Sequence, residues 1–294
     1  MGGKSAEHNV SLASGNQVLK HLDCEKYIPS KLVIKKDGSF DFSISDLKNL
    51  DIVFIALHGP GGEDGVIQGF LESLGIKYTG SGVLASAIGM NKKVSKTIWK
   101  SKGLPIVPFR IVSSIANCER TNPPFVLKPA SQGSSFGVSI VENKAQIEKA
   151  FKDAAASGNE VMLEPYIKGT EITVGVLGNE KPFALPVIEI VPKTKFFDYE
   201  AKYTPGMSEE IVPARISKLL TIQAQKLAIK AFTALGCRGF ARVDMFIEKG
   251  KILLSEINTI PGLTKNSLLP KAAKASGISF SDLIDRIINL GFKQ

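Results

Sequence analysis

Two apolar stretches, Phe240-Ala-Arg-Val-Asp-Met-Phe-Ile-Glu248 and Ile252-Leu-Leu-Ser-Glu-Ile-Asn258, flank Lys249-Gly-Lys251, and no other feature restricts the fold so tightly. A three-residue loop with glycine in the left-handed position folds such a pair into an antiparallel hairpin. Residues symmetric about Gly250 then pair, so Asp244 is expected opposite Glu256 and Arg242 opposite Asn258. Side chains alternate between faces along a strand, which puts these four polar groups on one face. Val243, Met245, Leu253 and Ile257 take the other. Two opposed carboxylates repel unless a cation lies between them. Oxygen ligands without cysteine or histidine suit Mg²⁺, which takes one or two protein carboxylates and completes its shell with phosphates and water. The same pattern suits the solvent-facing side of an edge hairpin. The hairpin alone leaves both readings open.

Residues 1–112 alternate strand and helix signals. Asp51-Ile-Val-Phe-Ile-Ala-Leu57 is a continuous apolar run, as in a strand buried on both faces of a parallel sheet. A helix is predicted over 63–74, with Val66, Ile67, Phe70, Leu71 and Leu74 on one face. A short strand follows at 76–79, then a long helix over 84–102 closed by Gly103 and Pro105. This is an open α/β pattern, whose ligand side lies at the strand C-termini. Between 113 and 190 strands dominate, at 125–128, 138–141, 161–167, 171–177 and 183–191, around a helix at 144–156. That is a smaller α+β pattern. Beyond 191, a loop over 192–213 precedes a helix at 216–235, the hairpin, a turn-rich segment and a last helix at 280–290. A loop of about twenty residues is too long for a mere connector. Its Phe196-Phe-Asp-Tyr-Glu-Ala-Lys-Tyr203 core is aromatic, so a lid over a ligand is expected.

Composition narrows the function classes. A length of 294 residues suggests about two domains or one large α/β unit. The net charge of +9 raises the question of nucleic acid, but lysines are scattered, no basic run of five occurs, and aromatics are only 7%. A basic surface around a site for acidic small molecules fits better. No apolar run approaches the roughly 18–20 residues of a membrane span. Met-Gly-Gly-Lys-Ser-Ala-Glu-His at the start lacks the apolar core of a signal peptide. Cys24, Cys118 and Cys237 are distant and odd in number, which excludes a disulfide scaffold and a cysteine zinc site. The expectation is a cytoplasmic protein without a membrane or nucleic-acid partner.

Two further motifs carry chemistry. In Lys128-Pro-Ala-Ser-Gln-Gly-Ser-Ser-Phe-Gly137 a lysine at a strand end precedes a Gly/Ser turn, which offers N–H groups and hydroxyls to phosphate oxygens. It is not a Walker A loop, and an ordinary hairpin turn would look the same. Ala56-Leu-His-Gly-Pro-Gly-Gly-Glu-Asp-Gly65 lies at the C-terminal end of the buried run. His58 there, with Glu63 and Asp64, reads either as part of a polar substrate pocket or as a histidine satisfying loop carbonyls.

In their order along the chain these pieces resemble the D-alanine–D-alanine ligases of the ATP-grasp superfamily. The likeness runs through Gly2-Gly-Lys-Ser-Ala-Glu-His8, residues 56–65, Tyr78-Thr-Gly-Ser-Gly-Val-Leu-Ala-Ser86, residues 128–137, Phe197-Asp-Tyr-Glu-Ala-Lys-Tyr203, Gly236-Cys-Arg-Gly239 and Glu256-Ile-Asn-Thr-Ile-Pro-Gly262. It implies an N-terminal open α/β domain (1–90), then a two-part ATP-grasp fold with a central α+β lobe (91–190) and a C-terminal lobe (191–294), ATP lying between the lobes. The implied reaction joins two D-alanines through an acylphosphate, for peptidoglycan precursors. Such chemistry needs placed positive charge more than covalent help.

Matched motif by motif, the resemblance implies that Lys92 and Lys128 contact ATP phosphates and that Glu164 and Glu171 serve adenine and ribose. Asp244, Glu256 and Asn258 are implied to hold two Mg²⁺, or Mn²⁺ in their place. Arg242 and the Gly262 N–H stabilise the oxyanion. Glu7 pairs with the first ammonium, with His58 nearby; Lys202, Ser267 and the Leu268 backbone take the second carboxylate. Ser134 and Tyr203 complete a hydrogen-bonded set with Glu7, and the Tyr203 lid favours an amine over D-lactate as second nucleophile. A homodimer is also implied. Family members place an apolar strand directly before Gly-Gly, whereas Met1 here stands against Gly2. An exposed edge in the N-terminal sheet and a poorly anchored Glu7 are therefore expected. Asn9 and Asn91 stand where acids are common in the family. The alternatives are another ATP-grasp carboxylate–amine ligase, an ATP-binding protein with impaired catalysis, and a basic nucleic-acid binder.

Overall fold

A computed structural model describes residues 1–133, 136–158, 160–192 and 208–293. The helices and strands in chain order are α1 (His8–His21), α2 (Ile44–Lys48), α3 (Val66–Ser73), α4 (Val83–Met90), α5 (Lys92–Ser101), β1 (Arg110–Val112), α6 (Ile115–Glu119), β2 (Phe125–Pro129), β3 (Ser139–Val141), α7 (Ile147–Ser157), β4 (Val161–Pro165), β5 (Thr170–Leu177), β6 (Phe183–Ala184), β7 (Ile188–Pro192), β8 (Ser208–Ile211), α8 (Lys218–Ala234), β9 (Phe240–Glu248), β10 (Lys251–Asn258), α9 (Leu268–Ala275) and α10 (Phe280–Phe292).

Two antiparallel sheets face each other across the ligand side of the molecule. One has four strands in the order β1-β4-β2-β3. The other has six, β10-β9-β5-β7-β8 with β6 on β5. The N-terminal segment is held by single parallel bridges, Gly2 to Ile34 and Val53 to Tyr78. Its core joins Ile55, Leu57, Leu71 and Tyr78 to Leu283, Ile284, Ile287 and Ile288 of α10. The fit is close: a methyl group on Gly291 would stand 2.6 Å from Ile52 Cδ1. A capping box of Ser279 and Asp282 starts that helix.

Among the described residues the 51–57 run pairs on one side, through Val53 with Lys77 and Thr79. On its other side a groove of about 540 Å³ runs between residues 50–54 and 28–32, with Met1, Val18 and Phe292 in its wall. Glu7, expected to be poorly anchored, is buried, and its N–H donates to Ser5 Oγ at 3.2 Å, so it is well anchored.

Several elements differ from expectation for identifiable reasons. The predicted helix over 84–102 is two helices, because Asn91 leaves helical conformation and its side chain accepts the Val94 N–H at 3.1 Å, capping α5. Asn thus performs the capping that an acid would. α3 begins only at Val66, and Val66 and Phe70 face solvent rather than the core. Strand 183–191 is broken into β6 and β7, and Ser208–Ile211 of the expected loop is strand β8 on β7. The turn-rich segment contains α9.

The hairpin reached its expected pairing by another route. Lys249 and Gly250 both have positive φ (50° and 76°), so the connection is a two-residue turn of the I′ kind rather than a three-residue loop. Near it Met245 pairs with Leu254. An irregularity at Ser255 then shifts the register by one, and beyond it Asp244 does face Glu256 and Arg242 does face Asn258. The shift exchanges faces on the turn side: Leu254, fully buried, joins Val243 and Met245 in the core, and Leu253 does not.

Candidate active site

Between the two sheets lies a cavity of about 330 Å³. Lys92, Lys128, Glu164, Glu171, Arg242, Asp244 and Glu256 line it. Each group is placed by its element. Lys128 is the penultimate residue of β2, and Glu164 on β4 pairs with Val126, two residues before it, so the two side chains meet diagonally across the strands. Lys92 opens α5, and its N–H donates to Ala130 C=O at 2.8 Å, fixing the helix start against the 128–133 turn.

The charges form three groups. Lys128 Nζ lies 2.8 Å from Glu164 Oε2, while Lys96 Nζ contacts Glu164 Oε1 and donates to Val107 C=O at 3.1 Å. Lys92 Nζ pairs with Glu256 at 3.2 Å and donates to Gln132 C=O. Arg242 grips Asp244 through two bonds of 2.9 Å, and Thr173 Oγ1 donates to the same carboxylate at 2.5 Å. Burial lowers the Lys96 ammonium to about 8, a shift that Glu164 only partly opposes. For Lys128, burial is outweighed by Glu164 and Glu256, which hold it above the ordinary lysine range. For Glu164, burial is likewise outweighed, and Lys128 and Lys96 keep its carboxyl below the usual range. One carboxylate serves two ammoniums, and the deeper lysine bears the desolvation.

Asp244, Glu256 and Asn258 supply two carboxylates and an amide oxygen along one strand face. These are hard donors that suit Mg²⁺, and both carboxylates open onto the cavity. Each carboxylate is paired with a cation, Arg242 or Lys92. Asn258 Oδ1 accepts the Ile260 N–H at 3.0 Å, which ties the strand end to the next loop.

That loop brings Gly262 against Ser267. A methyl group on Gly262 would lie 2.9 Å from Ser267 Oγ, so the close approach requires glycine. Ser267 precedes α9 without capping it, and its hydroxyl instead accepts the Thr264 N–H at 2.9 Å. The first N–H groups of α9, from Leu268 onward, therefore lack a side-chain cap. Glu7 lies between the two glycine turns: Oε2 would be 2.6 Å from a methyl on Gly59 and 3.4 Å from one on Gly133. His58 is buried nearby, Nδ1 against Ile260 C=O at 3.0 Å and Nε2 against Ser14 Oγ at 2.8 Å. Ser134, Lys202 and Tyr203, with residues 193–207 of the expected lid, fall outside the described residues.

Sequence reasoning missed Lys96. It stands four residues after Lys92, one helical turn on, and this spacing was the available signal. It also missed Thr173, which no motif marks.

The comparisons with known proteins agree with this geometry. The family pattern described as D-ala D-ala ligase C-terminus matches residues 98–289, and that of the D-ala D-ala ligase N-terminus matches 41–81. The D-alanine–D-alanine ligase of Syntrophobacter fumaroxidans is 47% identical, over 99% of this chain and 96% of its own. The solved structure of the Bacillus anthracis D-alanine–D-alanine ligase complexed with ATP superposes with a TM-score of 0.84 at 35% identity, covering 100% of this chain and 96% of that one. A D-Ala:D-Ser ligase from Enterococcus faecalis gives 0.88 at 31%, covering 99% and 97%. With ATP-grasp geometry and sequence in agreement over its whole length, this chain belongs to the D-alanine–D-alanine ligase family.

Proposed function

We propose that this chain joins two D-alanines into D-alanyl-D-alanine, converting ATP to ADP and phosphate. The observation that carries the reading is the cavity between the sheets, where Lys92, Lys128, Arg242, Asp244 and Glu256 converge. The carboxylate of the first D-alanine attacks the γ-phosphorus of ATP, giving an acylphosphate and ADP. The amine of the second attacks the acyl carbon, and phosphate leaves as the tetrahedral intermediate collapses.

Lys92 and Lys128 neutralise phosphate oxygens, and Glu164 and Glu171 receive adenine and ribose. Asp244, Glu256 and Asn258 hold two Mg²⁺, which when bound supply positive charge against the phosphates. Arg242 and the Gly262 N–H face the oxyanion. Glu7 holds the first ammonium. The second carboxylate meets Lys202, Ser267 and the Leu268 N–H, and the uncapped start of α9 supports this, since a helix N-terminus favours an anion. Ser134 and Tyr203 link the lid to Glu7. The reading includes the division at residues 90 and 190, a homodimer and a cytoplasmic setting. Three unpaired cysteines suit a reducing compartment.

The experiment is phosphate release by the purified chain with Mg-ATP and D-alanine, L-alanine, D-alanine plus D-serine, or D-alanine plus D-lactate, with products identified by mass. Release with D-alanine alone, yielding D-alanyl-D-alanine, is expected. D-serine is included because of the D-Ala:D-Ser ligase likeness. Preferential formation of D-alanyl-D-serine would change the second substrate, and no D-alanine-dependent release would overturn the reading.

A further inference from the structure

His58 is held at every polar atom. Ser11 and Ser14, one turn apart on α1 and fully buried, face it together. The His58 N–H donates to Ser11 Oγ at 2.9 Å, and its C=O accepts from Ser5 Oγ at 2.7 Å. Ring Nδ1 meets Ile260 C=O at 3.0 Å and the Glu63 carboxylate at 3.5 Å. A carbonyl can only accept, so Nδ1 carries a proton. Nε2 meets Ser14 Oγ at 2.8 Å, and that oxygen already accepts the Leu263 N–H at 3.1 Å. A proton on Nε2 would leave the Ser14 hydroxyl hydrogen with no acceptor among the described residues, in a fully buried place. The arrangement is complete only when Ser14 donates to a bare Nε2.

We infer that Ser14 is a positioning residue of the ligation site, holding His58 as the neutral Nδ1–H tautomer and, with it, clamping the loop that carries the Gly262 N–H. This rests on the proposed oxyanion role of that amide. The loop is gripped at two points, Ile260 C=O by His58 and Leu263 N–H by Ser14, and Gly262 lies between them. Neither ring nitrogen of His58 is left over for substrate. Its part, with Ser14, is to aim the amide, and an oxyanion donor works only when aimed to a fraction of an ångström.

The test uses the full chain with ¹⁵N-labelled histidine. His8 and His21 are the other two histidines, and a His8→Gln, His21→Gln chain leaves His58 alone for assignment. The expected spectrum at neutral pH has Nδ1 protonated and Nε2 bare and hydrogen-bonded. In Ser14→Ala the Nε2 resonance moves to that of a nitrogen without a donor, the Leu263 amide exchanges faster with solvent, and kcat falls about tenfold or more while the KM for ATP is unchanged. Should Ser14→Ala not fold, Ser14→Cys, with a weaker donor, gives the same readouts in smaller measure. A protonated Nε2 in the parent chain, an unmoved Nε2 resonance, or an unchanged Leu263 exchange rate in the variant overturns the inference. The NMR and exchange readouts stand without turnover, so a chain that fails to ligate D-alanine refutes the proposed function and leaves this inference to be judged separately.

Discussion

Lys96 and Glu164 make a fully buried ion pair whose carboxylate is shared with Lys128, the second ammonium lying 2.8 Å away. No side-chain surface of Lys96 reaches solvent, and its ammonium meets Glu164, the Val107 carbonyl and the face of the Phe109 ring. It sits behind the cavity wall and sets where Glu164 stands.

Lys96→Met should therefore cost stability as well as nucleotide affinity. Removing one partner of a buried pair costs about 3–5 kcal/mol, and Lys128 retains part of the compensation, so about 3 kcal/mol is expected. The midpoint of denaturant unfolding should fall and the KM for ATP should rise. A variant with the parental midpoint and KM would show that Glu164 needs only Lys128.

The hairpin carboxylates give a metal prediction. Chelation of divalent ions should abolish D-alanine-dependent phosphate release, and Mg²⁺ should restore it. Asp244→Asn should reduce kcat by about a hundredfold or more and raise the Mg²⁺ needed for half-activation. Arg242 would lose its bidentate partner in the same variant, so Thr173→Val, which removes the 2.5 Å donor to Asp244 and a 3.2 Å bond to the Val243 carbonyl but keeps the carboxylate, makes a milder companion. Normal Mg²⁺ dependence in Asp244→Asn would exclude this carboxylate as a ligand.

Cysteine reactivity should divide cleanly. Cys24 is exposed, whereas Cys118 and Cys237 are buried, and burial pushes the Cys237 thiol up to about 12. A disulfide reagent at pH 8 should consume one thiol rapidly and the other two only on unfolding. Rapid loss of two or three would contradict the packing.

Alkaline titration should show two late tyrosines. Burial and the Glu72 hydrogen bond raise Tyr78 to about 12, and burial with Asp285 raises Tyr27 similarly. Their folded values lie above the unfolded value near 10, so the folded protein holds these protons longer. Their stabilisation is complete below pH 10 and is lost as pH rises through 12. Phenolate absorbance should rise in two stages, the second together with unfolding. A single stage centred on pH 10 would refute this.

The register shift at Ser255 predicts unequal neighbours. Leu254→Ala removes a fully buried side chain and should cost about 2–5 kcal/mol. Leu253→Ala, on the other face, should cost less than half as much by the same denaturation measurement. Equal losses would mean that the faces are not exchanged.

That hairpin also shows how far sequence carries. The pairing of Asp244 with Glu256 was legible because alternation and a glycine turn limit the registers. Leu253 was misplaced because a two-residue turn and a later one-residue shift cancel in their effect on the polar face and not on the core face. The residues matched by motif do meet at the cavity, as Lys92, Lys128, Glu164, Arg242, Asp244 and Glu256 show. Groups that act through burial were not legible. Lys96 reads as one more lysine on a basic helix, and Ser14 as a small residue on α1, until the fold removes water around them. α9 was hidden by Pro270, which occupies its first turn, where proline is tolerated.

The return of α10 to the N-terminal core has a consequence for biogenesis. Ile55, Leu71 and Tyr78 are translated well before their packing partners Leu283, Ile284, Ile287 and Ile288. Their shared interior cannot close until the thirteen-residue helix α10 has emerged. During that interval the N-terminal segment waits with its apolar face uncovered.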